Sequence, residues 1–221
     1  MLRIITALLA CCFPATLLQA GETPAISLSD LAAKSDLVIL AQARDTDYFM
    51  RREIPVGGSA YLRVLIPYKA DPTVDIVQVY EKGLHENECY FPNPTVFEEG
   101  RRYLLFLVRD PEEPERYRGQ PEGCALEVLV DSNNRYALRY PVTGVRLSDD
   151  MAALARPMSF SDSYALVRDQ ELAPAERNAM LEAGQIEPHG DETWRYTMGI
   201  SLGEARRLIA PEALEDHSTR R

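Results

Sequence analysis

Gly199-Ile200-Ser201-Leu202-Gly203 is the chain's nearest approach to a catalytic motif. It fits G-x-S-x-G, the turn that exposes a nucleophilic serine between a strand and a helix. Such hydrolases place an acid and then a histidine downstream on further α/β units, yet only residues 204–221 follow here. No βαβ pattern lies upstream. Ser201 and Glu204 also have the S-x-x-E spacing of a capping box, in which both side chains satisfy free amides at a helix start. Ser201 is therefore expected to cap a helix rather than to attack a substrate.

Other residues able to do chemistry are scattered. His85, His189 and His217 lie far apart and have no metal-ligand spacing. Asp131-Ser132-Asn133 opens like a calcium loop, but Arg135 takes the fifth position and Tyr136 stands where the sharp turn needs glycine. A hairpin turn accounts for it. The acid pairs Glu98-Glu99, Glu112-Glu113 and Asp149-Asp150 adjoin loop residues and read as solvated turn charges. No catalytic residue, cofactor site or metal site is expected.

Cysteine usage and the N-terminus bear on compartment. Residues 1–20 have the form of a secretory signal, with Arg3 ahead of an apolar stretch from Ile4 to Leu18 and the small residue Ala20 at the end. Leu8-Leu9-Ala10-Cys11 also resembles a lipobox, which would anchor the chain through Cys11, but apolar sequence continues well past that cysteine. Soluble export, periplasmic or secreted, is the expectation. Removing the signal removes Cys11 and Cys12 and leaves Cys89 and Cys124. Two cysteines in an exported chain are most simply a disulfide. The rival is a reactive pair or metal site, although neither has a second Cys or a His at ligand spacing.

Charge excludes other classes. The chain has 24 Lys and Arg against 34 Asp and Glu, a net charge of −10. Without residues 1–20, which hold Arg3 and no acid, the balance is 23 against 34, or −11. Such a surface repels phosphate backbones, so Tyr61, Tyr68, Tyr80, Tyr90 and Phe91 are expected to be core and rim aromatics, not a nucleic-acid stacking platform. No later stretch approaches membrane length.

The elements that would position these residues are mostly strands. Glu98–Asp110 holds an unbroken apolar run, Tyr103 to Val108, which reads as a strand buried on both faces. Further strands are expected at 36–43, 60–66, 74–80, 124–130 and 135–140. Residues 45–58 and 111–123 read as polar loops, and 131–134 as a hairpin turn. A short helical turn capped by Ser29 or Asp30 should run through 31–34. Beyond Ser159 the pattern predicts helices from a Ser161–Ser163 cap through Arg168, within 172–184, and at 201–209, with a strand at 194–198.

Gly100-Arg101-Arg102-Tyr103-Leu104-Leu105-Phe106-Leu107 and Ser35-Asp36-Leu37-Val38-Ile39-Leu40-Ala41 resemble motifs of exported bacterial proteins with an OB-fold barrel like that of tissue inhibitors of metalloproteinases. Tyr68-Lys69-Ala70 matches the family's aromatic-Lys-Gly strand end in part. The resemblance covers residues 30–144 and implies a closed five-strand barrel in a family of unknown function. The animal inhibitors act through an N-terminal cysteine that binds the protease zinc. The expected mature N-terminus here is Gly21, so that activity would need cleavage just before Cys11 or Cys12.

The fold expected is mainly β, a small five- or six-stranded OB-like barrel with an α-rich C-terminal extension. Residues 1–20 are the signal, 21–144 the barrel, 145–158 a linker, 159–210 the extension and 211–221 a disordered tail. The function expected is an exported, non-enzymatic binding module whose partner is an envelope or extracellular protein or an unknown ligand. A protease-inhibitor-like protein and a Ser201 hydrolase are the alternatives.

Overall fold

The landmark run forms a strand, Arg102–Arg109, in which Tyr103 to Leu107 are wholly buried. A computed structural model describes residues 24–52, 54–82, 89 and 96–210. The signal-like segment, Cys11, Cys12, Gly21, His85, Tyr90, Phe91, His217 and the tail lie outside the described residues. The first half of the chain carries α1 (Leu28–Lys34), β1 (Leu37–Arg51), β2 (Ile54–Lys69), β3 (Ile76–Glu81) and β4 (Arg102–Arg109). Next come β5 (Tyr117–Gly119), β6 (Ala125–Val130), β7 (Tyr136–Tyr140), α2 (Met151–Leu154), β8 (Arg156–Pro157) and β9 (Leu166–Arg168). Last are α3 (Pro174–Glu182), β10 (Ile186–Gly190), β11 (Thr193–Tyr196), β12 (Met198–Ser201) and α4 (Leu202–Ile209).

Five strands close an OB-like barrel in the order β1-β2-β3-β5-β4, with β4 returning to β1. β3 and β5 run parallel, and the other barrel neighbours are antiparallel. β4 is the branch point. One edge pairs with β1 from Arg102 to Leu107, while the other pairs first with β6 and then with β5. Beyond β6 the sheet continues through β7, β12 and β8. A separate sheet holds β10, β11 and β9.

This branching explains why β1 and β4 lack polar alternation. Ile39, Ala41, Tyr103, Leu105 and Leu107 fill the barrel interior with Leu62, Val77 and Val79. Val38, Leu40, Leu104 and Phe106 point the other way, into a second core with α1, α4, β6 and β7. Side chains on a strand alternate faces, so a strand between two cores must be apolar at every position. α1 starts at a Ser27 cap whose Oγ accepts from the Asp30 amide at 3.0 Å. Its far end is held by Lys69, whose ammonium donates to the carbonyls of Ala32 and Ser35 at 3.1 and 2.5 Å. A cation there complements the carbonyl-rich helix terminus.

Several expected segments differ. Residues 45–52 and 54–58, expected within a loop over 45–58, belong to one long hairpin, because β1 and β2 keep pairing from Val38–Lys69 out to Arg51–Ile54. Their polar composition reflects exposure beyond the barrel rather than lack of a ladder. Residues 111–123 include β5, whose three residues close the barrel. Residues 161–168 form one 3-10 turn, Ser163–Ala165, and then β9 instead of a helix, since pairing of β9 with β11 takes their backbone groups. Ser27, not Ser29 or Asp30, caps α1. The C-terminal extension carries α3 and α4 and adds β9 to β12. Residues 145–158 hold α2 and β8, with buried Met151 and Ala155 in the second core.

Candidate functional site

The β1–β2 hairpin projects beyond the barrel, and its neck depends on glycine. A Cβ on Gly58, at φ +137°, would lie about 2.2 Å from the Asp47 carbonyl oxygen and 2.6 Å from Tyr48 Cα. Only glycine lets the two arms approach so closely in that conformation. At the tip Arg52 turns the chain with φ 51°. β1 is buried as far as Ala43 and mostly exposed after it. Phe49 is 66% exposed, Met50 59% and Ile54 52%, with Val56 also open to solvent. Arg51 and Arg52 are exposed among them.

Beside the arm lies a cleft of about 580 Å³ lined by Tyr48, Met50, Pro55, Val96 and Phe97, with Glu98 and Glu99 at its edge. The Tyr48 hydroxyl is buried beneath it, near the buried Glu81. Burial, with the adjacent Glu81 charge, pushes the phenol far above its ordinary range, so it stays protonated. An apolar arm flanked by a half-apolar cleft is suited to contact. It holds no nucleophile paired with a base.

A second constellation is a buried ionic network joining barrel and extension. The Glu127 carboxylate lies between two guanidinium groups, with Arg101 Nη1 at 2.9 Å and Arg139 Nη2 at 2.6 Å. Arg101 also reaches Glu98 at 2.5 Å, and Arg139 donates to the Tyr196 hydroxyl and to Thr143 Oγ1. Burial raises the Tyr196 phenol above its ordinary value. Arg102 adds an ion pair to Asp162 at 2.9 Å, and Asp162 in turn accepts from the Tyr164 amide. The cavity beside Arg101 and Arg139 has only about 50 Å³ of free space, room for a few waters. Its geometry is that of a structural clamp.

The residues expected from sequence sit apart from both. Ser201 Oγ accepts from the Glu204 amide at 3.3 Å and donates to the Glu204 carboxylate at 2.9 Å. Gly199 is required by packing, because a Cβ there would meet Met158 Sδ and Phe160 Cζ at 2.9 Å. Cys89 and Cys124 are bonded to each other inside the barrel core, next to the start of β6. Among the described residues the one histidine is His189, on exposed β10, with Nε2 3.0 Å from Arg195 Nη2. The Asp131 turn is built on its own carboxylate, which accepts from the Asn133 and Arg135 amides at 2.9 and 2.8 Å. The Arg135 backbone N–H leads the effects that hold that carboxyl below its usual range. Asp149 accepts from the Leu28 amide at 2.7 Å, and Asp150 caps α2.

Sequence reasoning missed the arm and the ionic clamp. The clue to the arm was Tyr48-Phe49-Met50 inside a stretch otherwise read as polar. Nothing local marks Glu127 as the partner of Arg101 and Arg139. Among the described residues no set of three His, Cys, Asp or Glu is arranged to hold a metal ion. No helix among them is long and apolar enough to cross a membrane.

The molecule is a small OB-like barrel with a Cys89–Cys124 pair in its core and a helix-covered sheet extension. The chain matches no family model, no curated protein and no solved structure.

Proposed function

We propose that this chain is an exported, non-enzymatic interaction protein that uses the β1–β2 arm to engage an envelope or extracellular protein. The observation that carries this reading is the cluster of exposed Phe49, Met50, Ile54 and Val56 on a projecting hairpin. Large apolar side chains gathered on a protruding surface mark contact sites, and aromatic, Met and Arg side chains are enriched in interfaces. Arg51 and Arg52 at the tip, in a chain of net charge −10, favour a partner site with an apolar floor and an acidic rim. The signal-like first twenty residues and the cysteine pair support a periplasmic or secreted location. The bacterial OB-barrel resemblance supports the same placement.

A photo-crosslinking residue at position 49, in cells exporting the full chain, tests the reading. The expected result is one discrete protein adduct in the extracytoplasmic fraction, absent when the same group sits at exposed Thr73 and lost in an Ile54→Ser background. Adducts of equal yield from both positions, or none from position 49, overturn it. N-terminal sequencing with intact mass checks the compartment, the expected start being Gly21 with Cys89 and Cys124 oxidised.

A further inference from the structure

We infer that the cleft between the β6–β7 turn, β8 and the start of α4 binds a small amphipathic monocarboxylate. This goes beyond the arm-mediated contact and does not depend on it. The cleft has about 580 Å³ of free space, within the range of small-molecule sites. Arg135, Arg156 and Arg207 all line it, from the β6–β7 turn, β8 and α4. Their placement on one cleft is a product of the fold and not of helical spacing.

The charge balance sets the ligand. Two carboxylates share the cleft, Asp131 and Glu204, leaving an excess of one positive charge in a strongly acidic chain. Both carboxylates are already engaged. Asp131 binds Arg135 Nη2 at 2.8 Å, and Glu204 accepts from Ser201 Oγ at 2.9 Å. Arg156 spends Nη1 on the Ala153 and Ala155 carbonyls. The Arg207 side chain makes no hydrogen bond or ion pair among the described residues. Guanidinium groups gathered in one concave site with donors to spare are complementary to a carboxylate. The remaining wall is apolar, from Ile66, Tyr136, Met158 and Leu202, and suits a hydrocarbon body. One surplus charge beside an apolar wall specifies a monoanion with a greasy end, in preference to a phosphate dianion.

Calorimetric titration of the purified mature chain with sodium octanoate tests this directly. Saturable one-to-one binding is expected, with octan-1-ol at least about tenfold weaker because it cannot accept the charged hydrogen bonds. Arg207→Gln should weaken octanoate about tenfold while its thermal midpoint holds, since that side chain makes no hydrogen bond or ion pair among the described residues. Arg156→Gln should act in the same direction. Arg195→Gln, on the other sheet, should bind as the wild type does. No saturable heat below the micellar concentration, equal affinity for octanol, or undiminished binding by Arg207→Gln would each overturn the inference. So would binding of an acidic peptide by a chain that ignores octanoate.

Discussion

Leu105 and Phe106 are neighbours on β4, yet they belong to different cores. Leu105 packs inside the barrel beside Ile39 and Leu62, and Phe106 packs outside it with Leu28 and Leu31 of α1 and Ile209 of α4. Neither has any exposed surface. The two cores therefore share the strands β1 and β4 and should be lost together. Leu105→Ala and Phe106→Ala are each expected to cost about 2–5 kcal/mol. Urea unfolding followed by both far-UV and near-UV circular dichroism should give coincident transitions in each variant. Aspartate at either position should abolish the folded spectrum, and a cooperative melt in Leu105→Asp would contradict the shared-strand account.

The Glu127 clamp makes a separate prediction. Removing this carboxylate leaves Arg101 and Arg139 facing each other without the charge between them. Glu127→Ala should destabilise by about 3–5 kcal/mol, as expected when one member of a buried ionic group is deleted. Glu127→Gln keeps an acceptor and should lose less. Equal stability of the wild type and Glu127→Ala in urea would show that the network adds nothing.

The arm separates exposure from backbone constraint. Phe49→Ser and Ile54→Ser should alter stability by no more than about 0.5 kcal/mol, because little is buried at either position. Gly58→Ala should cost about 1–3 kcal/mol through close approach at positive φ. Thermal melts of the three variants in one buffer make the comparison.

Acid should weaken the fold partly through Asp110. Its side chain is 1% exposed. Burial alone would raise its pKa, but the Glu112 amide at 2.9 Å and the Arg116 guanidinium outweigh burial and hold it below the ordinary value. A carboxyl whose folded pKa is depressed contributes fully above its unfolded pKa, about 3.9, and loses that contribution as pH falls through the folded value. Asp110→Asn should therefore be less stable than the wild type at neutral pH and lose less on acidification below about pH 4. Urea midpoints from pH 6 to pH 2.5 would reveal parallel curves if this carboxylate were uninvolved.

Cys89 and Cys124 are 35 residues apart in sequence, and both are buried in the barrel core. A closure of that length stabilises by up to about 4 kcal/mol on the loop-entropy account. Unfolding in urea with and without reductant should show a large drop, and a Cys89→Ser/Cys124→Ser variant should match the reduced protein. Two free thiols in the denatured, unreduced chain would rule the bridge out. Ser201→Ala should cost about 0.5–2 kcal/mol as a lost helix cap.

Much of this architecture was legible because its causes are local. The continuous apolar run at Tyr103 to Val108 announced a strand with no solvent face. α3 lies within the expected 172–184 and starts at Pro174, and the Asp131 to Asn134 turn announced a hairpin, with Asn134 at φ 59°. The 161–168 helix failed because a Ser-Asp-Ser cap followed by five residues suits a 3-10 turn equally well. Pairing with β11, more than twenty residues away, decided between them. The exposed face of residues 45–58 was invisible for a similar reason. Polar composition there described the environment of the hairpin and not the absence of one.

The sequence by itself determined the strands that must be buried on both faces, the Ser201 cap of α4 and the hairpin turn at Asp131. Each of these depends on residues close together in the chain. Only the tertiary structure decided that β1 and β4 lie between two cores, that the three-residue strand β5 closes the barrel, and that Phe49, Met50 and Ile54 stand out on an arm. It alone brought Glu127 between Arg101 and Arg139 and set Arg135, Arg156 and Arg207 around one cleft. These are relations between residues tens of positions apart. Strand pairing and packing set such distances, and no short window of sequence carries them.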